Sequence, residues 1–427
     1  MRVFGLVPGG MRGGSSDSSS AESGTAATAD ASADSVAGEE AIANLIAATD
    51  GTVELELWCS ETEEYQTVMA ELVDEFEAEY SDVDFDITIG AVSEADAKDK
   101  VLEDVEAAAD VFVFADDQLS ELVTAGALQQ VSTSYTYDPE EANSDAAIEA
   151  ASSNGDLYAY PLTSSNGYFL YYNSEYLSED DVSSWENLVA TAEEQGKKVG
   201  MNMADSGWYL YGFFSGAGCT LSMNEDGSNT CDWNSETGLA VAESITNISS
   251  SDAFVSLAEE DAMTMVADGD LIAYVCGTWR SGEFEENYGD GYAATKLPTF
   301  DVDGTATQMG SFAGYKFVGV NSYSDNVGWS MLLAEYLTSE SSQEAIYDAT
   351  GEGPSNTEAL SKASSVALDA LAEQAPYADL QIVGDKYWDP SMALANSLAS
   401  YDGSDLQTLL DDAVDGITQA VDSDSEE

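Results

Sequence analysis

The sequence predicts an α/β protein built on a largely parallel sheet. Strand-like and helix-like segments alternate from about residue 52 onward, as they do when crossover helices join parallel strands. The chain has 427 residues, 44% of them apolar, so it is long enough for two or three domains with a sizeable core. Aromatic and acidic residues directly follow several predicted strands, and ligands of such sheets bind beyond the carboxyl ends of the strands.

The first part of the folded region carries strand–helix units in close succession. Apolar residues alternate with glutamates over 53–57, which is typical of a strand. The next helix is predicted from apolar residues that recur every four positions, at Val68, Leu72, Phe76 and Tyr80. A second strand is predicted at 84–89, a helix around 101–105, and a buried strand at 110–114 before a helix that ends at Gly126.

The later part of the chain repeats this alternation. Further strands are predicted at 167–172, 271–275 and 317–320. Further helices are predicted at 185–191, 329–337, 342–347 and 406–421, the last with its leucine, valine and isoleucine residues on one side.

The net charge of the chain excludes several functions. There are 82 Asp and Glu, 11 Lys and Arg and no histidine, which gives −71 at pH 7. Nucleic-acid binding needs clustered basic residues, and histidine-based zinc sites and catalytic triads need histidine. We interpret the charge as a solvated surface that keeps a monomer soluble, with recruitment of a divalent metal as the alternative. Neither a cofactor nor a metal site is predicted.

Cys219 and Cys231 flank a polar loop that contains the turn signal Asp226-Gly227. A disulfide that closed this loop would contribute about 3 kcal/mol and would indicate an oxidising compartment. Two free thiols are the alternative. Cys59 and Cys276 each follow a strand-like run and are interpreted as buried thiols.

The two ends of the chain have a different composition from the rest. Residues 1–49 are rich in serine, alanine, glycine and acidic residues, which predicts a flexible linker, and 422–427 form an acidic tail. Neither a signal peptide nor an apolar run long enough to span a bilayer is visible. We expect the linker to be a stalk whose anchoring region is absent from this sequence.

Aromatic rings and polar side chains occur together at the ends of predicted elements. The segments concerned are 114–117, 205–209, 277–280 and 386–389. Sugars present apolar C–H faces flanked by hydroxyl groups, so a carbohydrate site needs rings for stacking and carboxylates as acceptors. A single aromatic residue is more commonly part of a core, and Trp185 and Trp329, which lie in helical patterns, are interpreted that way.

The order of these segments resembles that of extracellular solute-binding proteins of ABC importers, in the maltose/maltodextrin-binding branch. The resemblance covers 52–421 and is carried by Phe-Val-Phe-Ala-Asp-Asp at 112–117, Tyr-Pro-Leu at 160–162, Gly-Thr-Trp at 277–279 and Leu-Pro-Thr-Phe at 297–300. It implies a periplasmic-binding-protein-like fold, with two α/β lobes around a ligand cleft and hinge crossings near 163–167, 311–314 and 350–354. Lobe one then comprises 50–163 and 313–351, and lobe two comprises 166–311 and 354–421.

The resemblance also implies a set of ligand-binding residues. They are Phe114, Asp116, Asp117, Trp208, Tyr209, Trp279, Arg280 and Trp388. In that set Asp117 matches the family's sugar-bonding aspartate, and Phe114 replaces a tryptophan by a smaller ring. Arg280 could instead hold a carboxylate by a bidentate hydrogen bond. Ser165 stands where the family has a glutamate.

The implied function is non-catalytic capture of an oligosaccharide of the maltose or maltodextrin type and its delivery to the transmembrane permease of an ABC importer. We expect a cell-surface lipoprotein, with the periplasm as the alternative location. Another sugar, a polyamine and a metal chelate are alternative ligands, since an acidic cleft would suit a cation. A glycoside hydrolase is a different class, but the adjacent Asp116 and Asp117 would point to opposite faces of a strand and make a poor acid–base pair.

Overall fold

The computed structural model describes residues 27–203, 206–224 and 226–420, and it confirms the α/β prediction. Two five-stranded sheets divide the chain into two lobes. The first lobe has the strand order Asp84–Ala91, Thr52–Cys59, Val111–Ala115, Lys316–Val320 and Ala159–Thr163. The second lobe has the order Phe254–Ser256, Lys198–Met201, Leu271–Cys276, Phe169–Asn173 and Tyr292–Thr295.

Both sheets combine parallel and antiparallel pairs. In the first lobe Thr52–Cys59 is parallel to both of its neighbours, and Lys316–Val320 is antiparallel to both of its own. In the second lobe Lys198–Met201 is parallel to both neighbours, and Phe169–Asn173 is antiparallel to both. The strands Phe169–Asn173 and Lys316–Val320 each directly follow a segment in which the chain passes from one lobe to the other.

Helices cover the faces of both sheets. The α-helices are Ala27–Ala48, Glu63–Glu79, Ala97–Glu103, Leu119–Thr124, Pro139–Ala142, Asp145–Ala150, Trp185–Gln195, Gly207–Gly216, Glu236–Ser249, Glu259–Ala267, Ser281–Tyr288, Val327–Leu337, Glu340–Thr350, Thr357–Lys362, Val366–Gln374, Trp388–Ala399 and Leu406–Ile417. Short two-stranded sheets pair Ser152–Ser153 with Asp156–Leu157, Leu221–Met223 with Asn229–Cys231, Thr299–Val302 with Thr305–Gln308, and Ser311–Ala313 with Ala378–Leu380. No helix in the described ranges has the length and apolar character needed to cross a membrane.

Each large sheet separates two hydrophobic cores, because alternate residues of a strand point to opposite faces. In strand Val111–Ala115, Val111 and Val113 belong to one core of the first lobe, and Phe112 and Phe114 belong to the other. A strand that is covered on both faces reads as a continuous apolar run, which explains the sequence of this segment.

The chain passes from one large sheet to the other through three neighbouring segments, near the predicted crossings. In the first crossing, the backbone N–H of Ser164 donates to the carbonyl of Gly353 at 3.0 Å, and that of Asn166 donates to the carbonyl of Gly314 at 3.3 Å. The hydroxyl of Ser165 accepts from the backbone N–H of Gly353 at 2.7 Å. Ser165 therefore joins the first and third crossings, and the three segments form one hydrogen-bonded hinge.

The linker prediction is wrong for 27–48, where the structure has the helix Ala27–Ala48. Apolar side chains of this helix pack on the core of the first lobe: Ile42, Leu45 and Ile46. Just after it, Thr49 accepts a hydrogen bond from the indole of Trp329 at 2.9 Å. Packing against the lobe stabilises a helix that composition alone did not indicate. Residues 1–26 and the tail 422–427 lie outside the described residues.

The predicted Cys219–Cys231 disulfide is absent, and both residues are free thiols. Their hairpin pairs Cys231 with Leu221, so Cys219 lies two positions out of register instead of opposite Cys231. Burial raises the pKa of Cys219 to about 11 and that of Cys231 to about 12, which keeps both sulfurs protonated at neutral pH.

Candidate functional site

A cleft of about 1410 Å³ lies between the lobes, beyond the carboxyl ends of parallel strands. Ser60 and Ala115 line it from the first lobe, and Asn202 and Trp279 line it from the second. The volume exceeds the roughly 300–1,000 Å³ that is usual for sites of small organic ligands. Most of the predicted site residues line this cleft, namely Asp117, Trp208, Tyr209, Trp279, Arg280 and Trp388.

Trp208, Tyr209 and Trp279 form an aromatic wall on the second-lobe side of the cleft. The ring centroids of Trp208 and Trp279 are 5.9 Å apart, and those of Trp208 and Tyr209 are 5.0 Å apart. Trp208 and Trp279 are half-buried, so each keeps surface that a ligand can contact. Tyr209 is only 3% exposed and supports the other two rings.

The wall forms at the ends of secondary-structure elements. Trp208 and Tyr209 lie in the first turn of helix Gly207–Gly216, and Trp279 lies in a short 3₁₀ turn after strand Leu271–Cys276. Gly277 precedes that turn, and a Cβ atom at this position would lie 1.9 Å from the ring of Trp279. A glycine is therefore needed for the ring to fold back over its own backbone. Asp205, from the same predicted segment as Trp208, lies outside the described residues.

One carboxylate connects two residues of the wall. Glu259 accepts a hydrogen bond from the hydroxyl of Tyr209 at 2.9 Å and another from the indole Nε1 of Trp279 at 2.9 Å. The Nε of Arg280 donates to the same carboxylate at 3.2 Å. Sequence reasoning missed Glu259, because nothing in its local pattern distinguishes it from the neighbouring Glu260.

Arg280 is held by glutamates of its own lobe. Its Nη1 donates to Glu283 at 3.1 Å, its Nη2 contacts Glu260, and its Nε contacts Glu259. Since each of its donor nitrogens faces a glutamate, the interpretation that Arg280 binds a ligand carboxylate is not supported by its surroundings. The guanidinium stabilises the wall instead.

Trp388 lines the cleft from the start of helix Trp388–Ala399. Its ring meets that of Tyr387 edge to face, with centroids 5.0 Å apart. Tyr387 is fully buried, and its hydroxyl donates to the carbonyl of Gly207 at 2.7 Å. This contact connects Trp388 to the helix that carries Trp208.

Asp117 enters the cleft from the first lobe, in a 3₁₀ turn directly after strand Val111–Ala115. Its Oδ1 is buried and has no hydrogen-bond partner among the described residues. Burial raises the pKa of Asp117 to about 6, although a hydrogen bond from Gln381 and the charge of Lys98 act in the opposite direction. An unpaired buried acceptor of this kind is suited to a ligand hydroxyl.

Three further buried polar atoms of described residues that line the cleft lack a partner, and one of them is the hydroxyl of Tyr65. Within the described part of the chain, Asn202 Oδ1 and Glu352 Oε2 also have no hydrogen-bond partner. Asn202 directly follows strand Lys198–Met201, and Glu352 lies in the third crossing. Together with Asp117, these residues offer acceptors from both lobes and from the hinge.

Lys316 lies at the base of the cleft, beside the hinge. Its Nζ donates to Glu352 at 2.8 Å and to Glu94 at 3.2 Å, and it lies 5.7 Å from the ring centroid of Trp279. Burial acts to lower the pKa of this lysine, but the charges of Glu352 and Glu94 outweigh it and raise the pKa, so the ammonium group stays charged. Sequence reasoning missed this cluster because the glutamates lie 36 and 222 positions away.

Two contacts join the lobes across the cleft. The Nζ of Lys98, on a first-lobe helix, lies 2.9 Å from Asp385. Asp385 begins the short 3₁₀ turn that contains Tyr387, a residue of the second-lobe core. Gln381 is near enough to Asp117 to lower the pKa of its carboxyl group, and it accepts from the indole of Trp208 at 2.6 Å. Gln381 therefore connects the first-lobe carboxylate to the second-lobe wall.

Phe114 does not lie on the cleft, which corrects its prediction as a ligand platform. It is fully buried, and its ring centroid lies 5.6 Å from that of Phe112 and 5.8 Å from that of Phe317. Residues two apart on a strand share a face, so Phe114 joins Phe112 in the core.

Asp116 is not a cleft residue either, although it neighbours Asp117. Its Oδ2 accepts a hydrogen bond from the backbone N–H of Tyr315 at 3.1 Å, so it holds the second crossing. Burial, followed by the charge of Asp117, raises the pKa of Asp116 above its ordinary value. Consecutive side chains of the turn point in different directions, and only Asp117 reaches the ligand space.

A family comparison agrees with this arrangement of two lobes, a hinge and a cleft. The family described as bacterial extracellular solute-binding protein matches residues 71–374. The chain belongs to this family. The match covers strands of both large sheets and the aromatic wall, and the family consists of binding proteins rather than enzymes.

Curated relatives of this solute-binding protein are named for oligosaccharides. A maltooligosaccharide ABC transporter solute-binding lipoprotein of Streptococcus pneumoniae is 24% identical over 341 residues, which cover 73% of this chain and 76% of the relative. A galactooligosaccharide-binding protein of Bacillus subtilis is 25% identical over 288 residues, which cover 63% of this chain and 66% of the relative, or just under two thirds of its length.

Solved structures share the fold over most of the solute-binding protein. A maltodextrin-binding protein of L. casei BL23, solved without ligand, is 26% identical with a TM-score of 0.71, and the match covers 87% of this chain and 100% of that one. A second structure, described as being with acarbose, is 27% identical with a TM-score of 0.76, and the match covers 87% of this chain and 99% of that one.

Proposed function

We propose that this protein is the substrate-binding component of an ABC sugar importer. It captures an oligosaccharide of the maltose or maltodextrin type between its lobes and delivers it to the transmembrane permease subunits. The observation that carries this proposal is the pairing of half-buried tryptophans with unpaired buried acceptors around one large cleft. The protein acts as a monomer outside the membrane, as a cell-surface lipoprotein or in the periplasm.

The chemistry of the cleft suits a sugar. Trp208, Trp279 and Trp388 offer ring surface for the C–H faces of pyranose rings. The open oxygens of Asp117, Asn202 and Glu352 offer acceptors for hydroxyl groups. A volume of about 1410 Å³ favours a chain of several sugar units over a monosaccharide.

The relatives support the class of ligand and the transport role. Their names include maltooligosaccharide, galactooligosaccharide and an ABC transporter, at identities of 24% and 25%. An α-linked glucan fits both the S. pneumoniae relative and the maltodextrin-binding structure, so we take it as the first ligand to test.

Transport requires that ligand binding shifts the equilibrium between open and closed lobes. Three short segments join the lobes, so rotation about this hinge would open the cleft once the contact between Lys98 and Asp385 is broken. A sugar can drive closure only by as much as it binds the closed form more tightly, through groups of both lobes such as Asp117 and Trp279. The permease would then recognise the closed form.

A calorimetric panel of maltose, maltotriose, a β-linked disaccharide and spermidine tests this proposal. We expect heat with maltotriose, weaker binding of the β-linked sugar, and no binding of spermidine. Absence of heat with every sugar in the panel would overturn the proposed function.

A cationic solute is the second candidate, and one observation favours it. The described residues that line the cleft include thirteen acidic and three basic side chains. All three basic residues, Lys98, Arg280 and Lys316, already pair with carboxylates. Spermidine binding that weakens steeply with added salt would support this candidate over the sugar.

A further inference from the structure

Glu259 occupies a position from which it contacts several parts of the cleft at once. It is the first residue of helix Glu259–Ala267, and its side chain is 22% exposed. One carboxylate oxygen accepts from the Tyr209 hydroxyl, and the other accepts from the Trp279 indole and the Arg280 guanidinium. Its partners come from helix Gly207–Gly216 and from the segment after strand Leu271–Cys276, so one side chain connects separate elements.

A carboxylate is the side-chain group that fits these partners. Tyr209, Trp279 and Arg280 all present donors to Glu259, and an ionised carboxylate is a pure acceptor with two oxygens. A glutamine has the same shape but offers one oxygen and one NH₂ group. It could keep its oxygen on Trp279 and Arg280 and turn its NH₂ group to the Tyr209 hydroxyl, which would then accept. The negative charge that strengthens these hydrogen bonds and pairs with Arg280 would be lost, so the arrangement depends on the charge of the carboxylate.

The hydrogen bonds restrict the orientation of the rings. The indole N–H of Trp279 remains bonded only while the ring keeps its present rotation, and the same holds for the phenol of Tyr209, which packs against Trp208 with centroids 5.0 Å apart. Arg280 in turn holds Glu259 in place, since it also contacts Glu260 and Glu283.

We infer that Glu259 is a positioning residue for ligand binding, which holds Trp279 directly, and Trp208 through Tyr209, in the orientation that receives the apolar face of a sugar. The inference rests on the proposed function for the identity of the ligand. Glu259 acts through the rings, because its carboxylate oxygens are used by the protein's own donors. A wall that is ordered before the ligand arrives avoids the loss of side-chain freedom on binding, which strengthens affinity.

Glu259→Gln is the direct test, and the sequence provides a matched control. Glu260→Gln removes the same charge one position away, but Glu260 is 82% exposed and contacts Arg280 rather than the rings. We expect Glu259→Gln to weaken maltotriose binding about tenfold, since the hydrogen bonds that orient Trp279 and Tyr209 lose their charge assistance and Arg280 loses an ion pair. We expect Glu260→Gln to change affinity less than about twofold, as is usual for an exposed ion pair. Equal effects of the two variants would overturn the inference.

A double-mutant cycle separates positioning from direct contact with the sugar. Trp279→Phe removes the indole N–H while keeping an aromatic ring. If Glu259 acts through the rings, Glu259→Gln should lose much of its effect on maltotriose affinity when introduced into the Trp279→Phe protein. The same loss of affinity in both backgrounds would show that Glu259 binds the ligand directly, and would overturn the inference.

A readout without ligand keeps the inference testable even if no sugar binds. The indole N–H resonance of Trp279 is one of seven in the protein and is assigned as the one missing from Trp279→Phe. In the ligand-free protein we expect it to shift in Glu259→Gln and to stay in place in Glu260→Gln. An unshifted resonance in Glu259→Gln would overturn the positioning role, whereas a panel without sugar binding would overturn only the proposed function.

Discussion

The carboxyl group of Asp117 has one buried oxygen without a partner in the described structure and a pKa raised to about 6 by burial. Hydroxyl donors of a sugar favour the ionised form of this group. A protonated Asp117 is a weaker acceptor for a hydroxyl group than the carboxylate, so binding to that form is less favourable. Affinity should therefore be highest above pH 6 and should fall as the pH decreases through 6, by about tenfold from about pH 7 to about pH 5.

Calorimetry with maltotriose across this range checks the prediction. Asp117→Asn is the control, because an amide does not titrate and its weaker binding should respond little to pH. Lys98, Glu121 and the adjacent Asp116 are the other charged groups that interact with Asp117, and none of them is changed in this variant. An affinity that rose on acidification would contradict the role of Asp117 as an acceptor.

Trp279 is the ring whose loss should matter most. It is half-buried, it lines the cleft, and its indole is held by Glu259 at 2.9 Å. We expect Trp279→Ala to weaken maltotriose binding by about 2 kcal/mol, or roughly thirtyfold, as for other central aromatic contacts. Trp329→Phe is the contrasting variant, since Trp329 is 2% exposed in the first-lobe core, and it should lower stability without changing affinity. The dissociation constant for maltotriose and the melting temperature of each variant distinguish a loss of affinity from a loss of stability.

Individual site residues could be predicted where they follow a strand or begin a helix. Asp117, Trp208 and Trp279 were found in this way, because the ends of elements in an α/β sheet face the ligand side. Phe114 was misplaced, since a residue inside a doubly covered strand looks like any other apolar position. Glu259 was missed, because its partners are 20 and 50 positions away and are brought near only by folding.

Glycine is required at one position of the hinge. A Cβ atom on Gly314 would lie 2.7 and 2.8 Å from the carboxylate oxygens of Asp116, which bonds the next residue, Tyr315. Gly314 therefore allows the second crossing to pass close to the strand end that carries Asp117, which lines the cleft.

Gly314→Ala should lower the free energy of unfolding by about 1–3 kcal/mol, as overpacking in a rigid environment does. Gly282→Ala is the control, because a Cβ atom there meets nothing within 4 Å and the residue lies in helix Ser281–Tyr288. It should leave stability unchanged or raise it slightly. Chemical denaturation of both variants measures the difference in their free energies of unfolding. Similar midpoints would show that the hinge accommodates the added Cβ atom without loss of stability.

The buried strands were predicted more successfully than helix Ala27–Ala48 and the pairing of the cysteines. The central strands Val111–Ala115 and Leu271–Cys276 appear as apolar runs, because helices cover both of their faces. Helix Ala27–Ala48 was not predicted, because its serine, alanine and acidic composition matches that of a linker and its stability depends on packing against Trp329 and its surroundings. The disulfide failed for a related reason, since loop length does not reveal the register of a hairpin.

The whole molecule carries a net charge of −71, yet the proposed ligand is neutral. Repulsion between carboxylates opposes the compact state, and salt screens it, since the Debye length shortens from about 30 Å at 0.01 M to about 3 Å at 1 M. We expect the melting temperature to rise over this range of salt, while maltotriose affinity changes less than about twofold. An affinity that fell steeply with salt would contradict a neutral ligand and favour a cation.

The docking of helix Ala27–Ala48 on the first lobe bears on how the receptor moves. This helix is the first described element of the chain, so a force applied to the chain before it would act on the first lobe. If they lead to a tether, the first lobe stays at a steady distance from its support. Closure of the cleft would then be a rotation of the second lobe, which carries the tryptophans, toward a first lobe that stays in place.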